Sequence, residues 1–212
     1  MSKKRADYSD MIFDGKTTPG GLRSAIAAGM DLDARDVAGN APLALAIRAK
    51  RPDLVAVLLE AKADPNVQNN NGNTPLMEAV LIHEFVSTGL LLQHGADPDL
   101  QRPKSGDTAL MMTGLSCDRK SIVLLIEAGA NIYLQDGFNA DAMMHAHREG
   151  NKSIAAFIRD TAKGREERLA AEKREREFRE NMKGIASNME GGLSQGLKVT
   201  RPLQFTKGPV HG

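Results

Sequence analysis

Asn73-Thr74-Pro75-Leu76 opens, and Leu91-Leu92-Gln93-His94-Gly95-Ala96-Asp97 closes, a stretch of apolar residues at helical spacing that the rest of the chain repeats. One period upstream stand Asn40-Ala41-Pro42-Leu43 and Leu58-Leu59-Glu60-Ala61-Lys62-Ala63-Asp64. One period downstream stand Asp107-Thr108-Ala109-Leu110 and Leu125-Ile126-Glu127-Ala128-Gly129-Ala130-Asn131. A fourth opening, Ala140-Asp141-Ala142-Met143, leads into a shorter stretch that ends at Phe157-Ile158. A period of about 33 residues is too short for a domain and fits a supersecondary unit stacked on its neighbours. The product of such a stack is an extended surface.

Each opening reads as a turn feeding a helix. Gly39, Gly72 and Gly106 precede the first helix where a positive φ is needed, and Asn139 takes that place in the last unit. Thr74 and Thr108 have the side-chain oxygen of a helix cap. Pro42 and Pro75 fall in the first turn, where a missing N–H does no harm. Leu43, Ala46 and Ile47, then Leu54, Val55, Leu58 and Leu59, give two helices with facing apolar stripes. Upstream, Gly29-Met30-Asp31-Leu32-Asp33 falls in phase with the closes, after Leu22 to Ala27 as a second helix and Tyr8 to Gly15 as a first. The expected layout is a flexible 1–6, a degenerate capping unit at 7–36, and units at 37–69, 70–102, 103–136 and 137–163.

The recurring Thr-Pro-Leu and Gly-Ala-Asp elements resemble those of ankyrin repeats, over about residues 36–162. The resemblance implies an all-α ankyrin solenoid. It also implies that partners bind a concave surface made by the turn tips and the exposed ends of the first helices. The family's contact positions fall on Val37, Ala38, Asn40, Arg48 and Ala49, then on Asn70, Asn71, Asn73, Leu81 and Ile82. They continue with Lys104, Ser105, Asp107, Leu115 and Ser116, and end with Phe138, Ala140, Arg148 and Glu149. Leu81, Ile82, Leu115 and Phe138 stand out, because clustered exposed apolar side chains mark interaction sites. The alternative is that Leu81 and Leu115 complete the core of their own helices. Three departures are visible. The motif's His is replaced by Ala44, Met77, Met111 and Met144, so its hydrogen bonds between units are expected to be missing. The Gly that ends the first helix is Lys50, His83 and Cys117, returning as Gly150. One residue is inserted around Pro103-Lys104-Ser105.

Composition narrows the function classes. A net charge of +1 argues against a dedicated nucleic-acid binder, and 4% aromatic residues without tryptophan leave few base-stacking platforms. One cysteine excludes an intramolecular disulfide and fits a reducing compartment. Met1-Ser2-Lys3-Lys4-Arg5 leads into no apolar core, and no apolar run is long enough to span a bilayer. A cytoplasmic monomer is expected. His145 and His147 lie two apart on a helix and face different ways, and no Cys/His/carboxylate spacing suggests a metal. Cys117, beside Asp118-Arg119-Lys120, has no partner that would make it a nucleophile. Neither catalysis, nor a cofactor, nor a small-molecule substrate is expected.

Beyond Gly164 the composition changes. Arg165 to Glu180 is charged and free of breakers, with Glu172/Arg176 and Glu175/Arg179 at favourable spacing and a thin apolar edge of Leu169, Ala171, Phe178 and Met182. A charged helix is expected over 164–184, either solvated or paired with a partner helix in a short coiled coil. Residues 185–212 read as a flexible tail rich in Gly and Pro. Within it, Leu197, Lys198, Val199, Arg201, Leu203 and Phe205 form an apolar and basic peptide suited to recognition or to folding back on the groove. The main expectation is a non-enzymatic adaptor that binds a protein partner. Two others stand beside it: a regulator that controls an enzyme through its tail, and contact of the basic termini with nucleic acid or an acidic membrane.

Overall fold

The computed structural model describes residues 8–116 and 118–194. Cys117, the basic Lys3-Lys4-Arg5 and the tail residues Leu197, Lys198, Val199, Arg201, Leu203 and Phe205 lie outside the described residues, as do the Leu115 and Ser116 side chains. The chain divides into two compact units, Met1–Glu166 and Glu167–Gly212.

In the first unit, helices follow one another in pairs. These are α1 (Ser9–Phe13) and α2 (Pro19–Ala27), α3 (Pro42–Arg48) and α4 (Pro52–Glu60), and α5 (Pro75–Leu81) and α6 (Phe85–Gln93). Next come α7 (Ala109–Ser116) and α8 (Arg119–Glu127), then α9 (Ala142–Arg148) and the first turns of α10 (Lys152–Ser194). Helices α1, α3, α5, α7 and α9 stack side by side in one layer, and α2, α4, α6 and α8 in another. Among the described residues there is no strand, so the architecture is an all-α solenoid.

Local chemistry places the helix starts. A proline occupies the first turn of α2, α3, α4 and α5. Thr18, Thr74, Asp118 and Asp141 accept hydrogen bonds from backbone N–H groups one turn ahead, satisfying donors that the helix leaves open. The first helices are short because the backbone reverses right after them, at Lys50 and His83 with φ of 52° and 60°. After α4 the reversal falls on Lys62, φ 69°. At both lysines two backbone bonds close the helix, Lys50 N to Ile47 O with Arg51 N to Ala46 O, and Lys62 N to Leu59 O with Ala63 N to Leu58 O. This is the closure that glycine favours.

A side chain in the left-handed region costs about 1–2 kcal/mol, part of which glycine gives back through its freer unfolded chain. Lys50→Gly and Lys62→Gly are each therefore expected to stabilise the protein by about 0.5–1 kcal/mol. Urea midpoints read this directly. A lower midpoint for both variants would contradict it.

One apolar cluster runs from Ile12 and Leu22 through Leu43, Leu58, Leu76, Leu91, Leu110 and Leu125 to Ile158. Met77 and Met111 lie fully within it. Their sulfurs accept from the Thr74 and Thr108 N–H at 3.5 and 3.4 Å, while Thr74 and Thr108 Oγ1 accept from the two methionine N–H groups. The thioether thus closes the start of its own helix.

In the second unit α10 runs on to Ser194, past the end expected at Gly184. A glycine weakens a helix by about 1 kcal/mol but keeps its backbone hydrogen bonds, and no proline stands between Pro103 and Pro202. Glu175 pairs with Arg179 at 2.6 Å and Lys173 with Glu177 at 4.0 Å. Leu169, Phe178 and Met182 are exposed.

Candidate functional site

The turns before α3, α5, α7 and α9 are fastened to one another by long polar side chains that recur with the repeat. Arg35 Nη1 donates to the Gln68 carbonyl, Gln68 Nε2 to the Gln101 carbonyl at 2.9 Å, and Gln101 Nε2 to the Gln135 carbonyl at 2.8 Å. Backbone bonds join the same turns, Asn70 N to Ala38 O at 3.0 Å and Gly137 N to Ser105 O at 2.8 Å. The signal for this ladder was present as donors at 35, 68 and 101, one period apart, and sequence reasoning missed it.

Beneath the ladder runs a buried polar network. Asp36 accepts from the Asn40 backbone and side-chain amides at 2.8 and 2.9 Å. Asn69 Nδ2 donates to Asn40 Oδ1 (3.0 Å) and Glu78 Oε1 (3.2 Å), and Asn73 Nδ2 donates to the same Glu78 oxygen at 2.7 Å. Arg102 Nε donates to Asn73 Oδ1 at 2.6 Å and pairs with Asp107 at 3.4 Å. The residues that follow each turn glycine therefore point inward. Asn40 and Asn73, expected at the contact surface, are buried, as is Ala140. Asp107 is half-buried and accepts from Ser105 Oγ at 2.6 Å. These positions hold the stack together, because a buried amide or carboxylate must find partners.

What remains for contact is a row of tips and helix ends. Val37 and Phe138, at the tips of the first and last of these turns, are 93% and 77% exposed. Asn70, Asn71 and Lys104 are exposed between them. Asn70 also braces the neighbouring turn, its Nδ2 donating to the Val37 carbonyl at 3.0 Å. The turns at 101–106 and 135–137 border a cleft of about 430 Å³ beside Lys104. At the helix ends, Arg48, Arg148 and Glu149 are exposed, and Arg48 reaches Glu78 across to the next unit at 3.7 Å. Leu81 is 37% exposed, whereas Ile82 packs against the core and leaves the apolar patch smaller than expected.

The stack also assembles a cluster that no sequence spacing announced. One ligand atom each from Asp107, Asp136 and His145 lies within 4.8 Å of the others. Each is already engaged. Asp136 Oδ1 accepts from the Phe138 and Ala140 N–H groups, both at 2.8 Å, and Oδ2 meets His145 Nε2 at 2.9 Å. Arg102 stands beside Asp107, where its charge opposes a metal cation. The cluster is a lock between turns. Burial pushes the Asp136 carboxyl up, but the Ala140 and Phe138 N–H groups and then His145 outweigh it and hold its pKa below the ordinary value.

Paired helices, capped turns in phase and an unbroken two-layer core meet in one repeat, and comparison with known proteins agrees. A family model described as ankyrin repeats (3 copies) matches residues 20–102 and 43–136. The chain belongs to the ankyrin-repeat family. Such repeats serve generally as protein–protein interaction modules. The chain is also similar to Protein lin-12 of Caenorhabditis elegans, 47% identical over 49 residues. That match takes in 23% of this chain and 3% of the length of lin-12, so the likeness is to a segment of a much longer protein. No helix among the described residues is long and apolar enough to cross a membrane.

Proposed function

We propose that this ankyrin-repeat chain is a non-enzymatic adaptor that grips a protein partner along the turn tips and the exposed ends of its first helices. The observation that carries this reading is the exposure of Val37 and Phe138 at the tips of turns that side-chain and backbone hydrogen bonds join to their neighbours. Rigid turns present an apolar side chain at little entropic cost, and exposed aromatic residues are frequent anchors of binding energy. Arg48, Arg148 and Glu149 supply a charged border that would select the register of the partner. In this reading the tail peptide Leu197 to Phe205 adds a second contact to the same partner, and tethering would strengthen the whole.

Capture from a cell extract with the full chain and with its Val37→Ser/Phe138→Ser variant tests the proposal. Both side chains are exposed, so the variant is expected to melt within about 0.5 kcal/mol of the parent. It is expected to recover its partner at about ten-fold lower yield or less. Equal recovery of the same proteins by both would count against the surface.

A further inference from the structure

We propose that the opposite layer of the stack carries a second docking site, a cation-rimmed apolar groove between α6, α8 and the first turns of α10 that takes an acidic peptide segment of another protein. The floor is Phe85, Val123, Leu124 and Phe157, around a cleft of about 480 Å³ whose rim is Arg119 and Lys120. Phe85 and Val123 are 43% and 37% exposed, so the floor is open to solvent. All six residues lie in Met1–Glu166. The groove faces away from the turn tips, because α6 and α8 belong to the other layer.

Charge selects the occupant. The Lys120 ammonium sits 4.3 Å from the centre of the Phe85 ring, and the Arg119 guanidinium 5.0 Å from that of Phe157. Among the described residues neither cation has a carboxylate partner. They also stand at the first two positions of α8, behind the N-cap Asp118, whose carboxylate is taken up by the Lys120 and Ser121 N–H groups and the Ser121 hydroxyl. The helix dipole disfavours cations there, and the same positions of α4 hold Pro52 and Asp53. Helix stability therefore does not account for the pair. Two cations folded over phenyl rings match a segment whose apolar side chains enter the floor while flanking Asp or Glu residues draw the cations outward. The chain's own tail has the wrong charge, since residues 195–212 contain Lys198, Arg201 and Lys207 and no Asp or Glu.

A library of random peptides of about 12 residues, displayed and panned on the full-length protein, tests this. Fluorescence anisotropy of the leading peptide follows, with the parent, with Arg119→Glu/Lys120→Glu, with Phe85→Ser and with Val37→Ser/Phe138→Ser. The expected consensus joins Asp or Glu residues to Leu, Phe or Trp. Binding should weaken about ten-fold or more with the charge-reversed pair and with Phe85→Ser, and stay unchanged in the Val37/Phe138 variant. That last arm separates this groove from the surface proposed above. No enriched peptide, a consensus without acidic residues, or affinity unaltered by charge reversal would overturn the proposal. So would a synthetic peptide of residues 195–212 that binds as tightly, or phosphatidylserine vesicles that bind through Arg119 and Lys120 when peptides do not.

Discussion

Replacing Gly106 with valine is expected to destabilise the stack by about 2–6 kcal/mol, enough to detach its last unit. Gly106 has φ 78°, where a β-branched residue is strained by about 1–3 kcal/mol. Its surroundings add a second cost. A Cβ there would lie 2.8 Å from the Gly137 nitrogen and 3.0 Å from the Asp136 Cα. These are backbone atoms of the next turn, and they cannot rotate aside as a side chain could. Overpacking of this kind costs about 1–3 kcal/mol. The push would also fall on the bond from Gly137 N to Ser105 O. In a solenoid each unit leans on its neighbours, so damage at one junction uncouples the units on either side. Far-ultraviolet circular dichroism in urea should then show two steps, with residues 137–166 losing hydrogen-exchange protection first. One step, with a midpoint close to that of the parent, would refute the prediction.

The second large effect is expected at Asp136, and it separates a variant that removes the carboxylate from one that replaces a single carboxylate oxygen by an amide nitrogen. Asp136→Ala removes both acceptors and leaves the Phe138 and Ala140 N–H groups and His145 without their partner. Hydrogen bonds to a charged group are worth about 1.5–3 kcal/mol each, so a loss of about 3 kcal/mol or more is expected. Asp136→Asn keeps the oxygen that receives both N–H bonds and should cost about 1 kcal/mol. Asn69, two registers earlier in the stack, already works this way, accepting from the Asn71 and Asn73 N–H groups at 3.0 Å. The acid limb follows from the lowered carboxyl of Asp136. A depressed carboxyl contributes stability above its unfolded pKa of about 3.9, and that contribution is lost as pH falls through the lower folded value. The difference in stability between parent and Asp136→Asn should therefore be constant above about pH 5 and shrink below about pH 4. Equal losses for the two variants, or a difference that grows in acid, would show that the carboxylate is not the lock.

Much of the fold was legible because its signals are local. The phase of Thr-Pro-Leu and Gly-Ala-Asp, the prolines in first turns and the threonine caps each act within one turn of helix. Which of the expected contact positions are exposed was legible only in part. Val37 and Phe138 lie at turn tips that no neighbour covers. Asn40 and Asn73 occupy similar places in the sequence, yet they turn inward because Asp36, Glu78 and Arg102 require partners. Asp36 and Glu78 lie within a few residues of the amides they engage. Arg102 and Asn69 reach Asn73 and Asn40 from one unit away, and a repeat motif read one unit at a time does not contain that second demand. Asp107 escaped notice as a neighbour of Asp136 and His145 because stacking alone brings it to that pair, which itself joins one turn to the helix that follows. The end of α10 was misjudged on different grounds. Glycines were read as a stop, but they only lower helix stability, and the helix carries through Gly184.

Site-specific photocross-linking tests the central claim, that partner binding runs along the turn tips, most directly. A benzophenone side chain would be placed in turn at Val37, at Phe138 and at Tyr133, which is also exposed but lies outside the row of tips. The account predicts that positions 37 and 138 both cross-link to the same protein in cells, and that position 133 does so at a small fraction of that yield. Cross-links to unrelated proteins at 37 and 138, or an equal yield at 133, would contradict it.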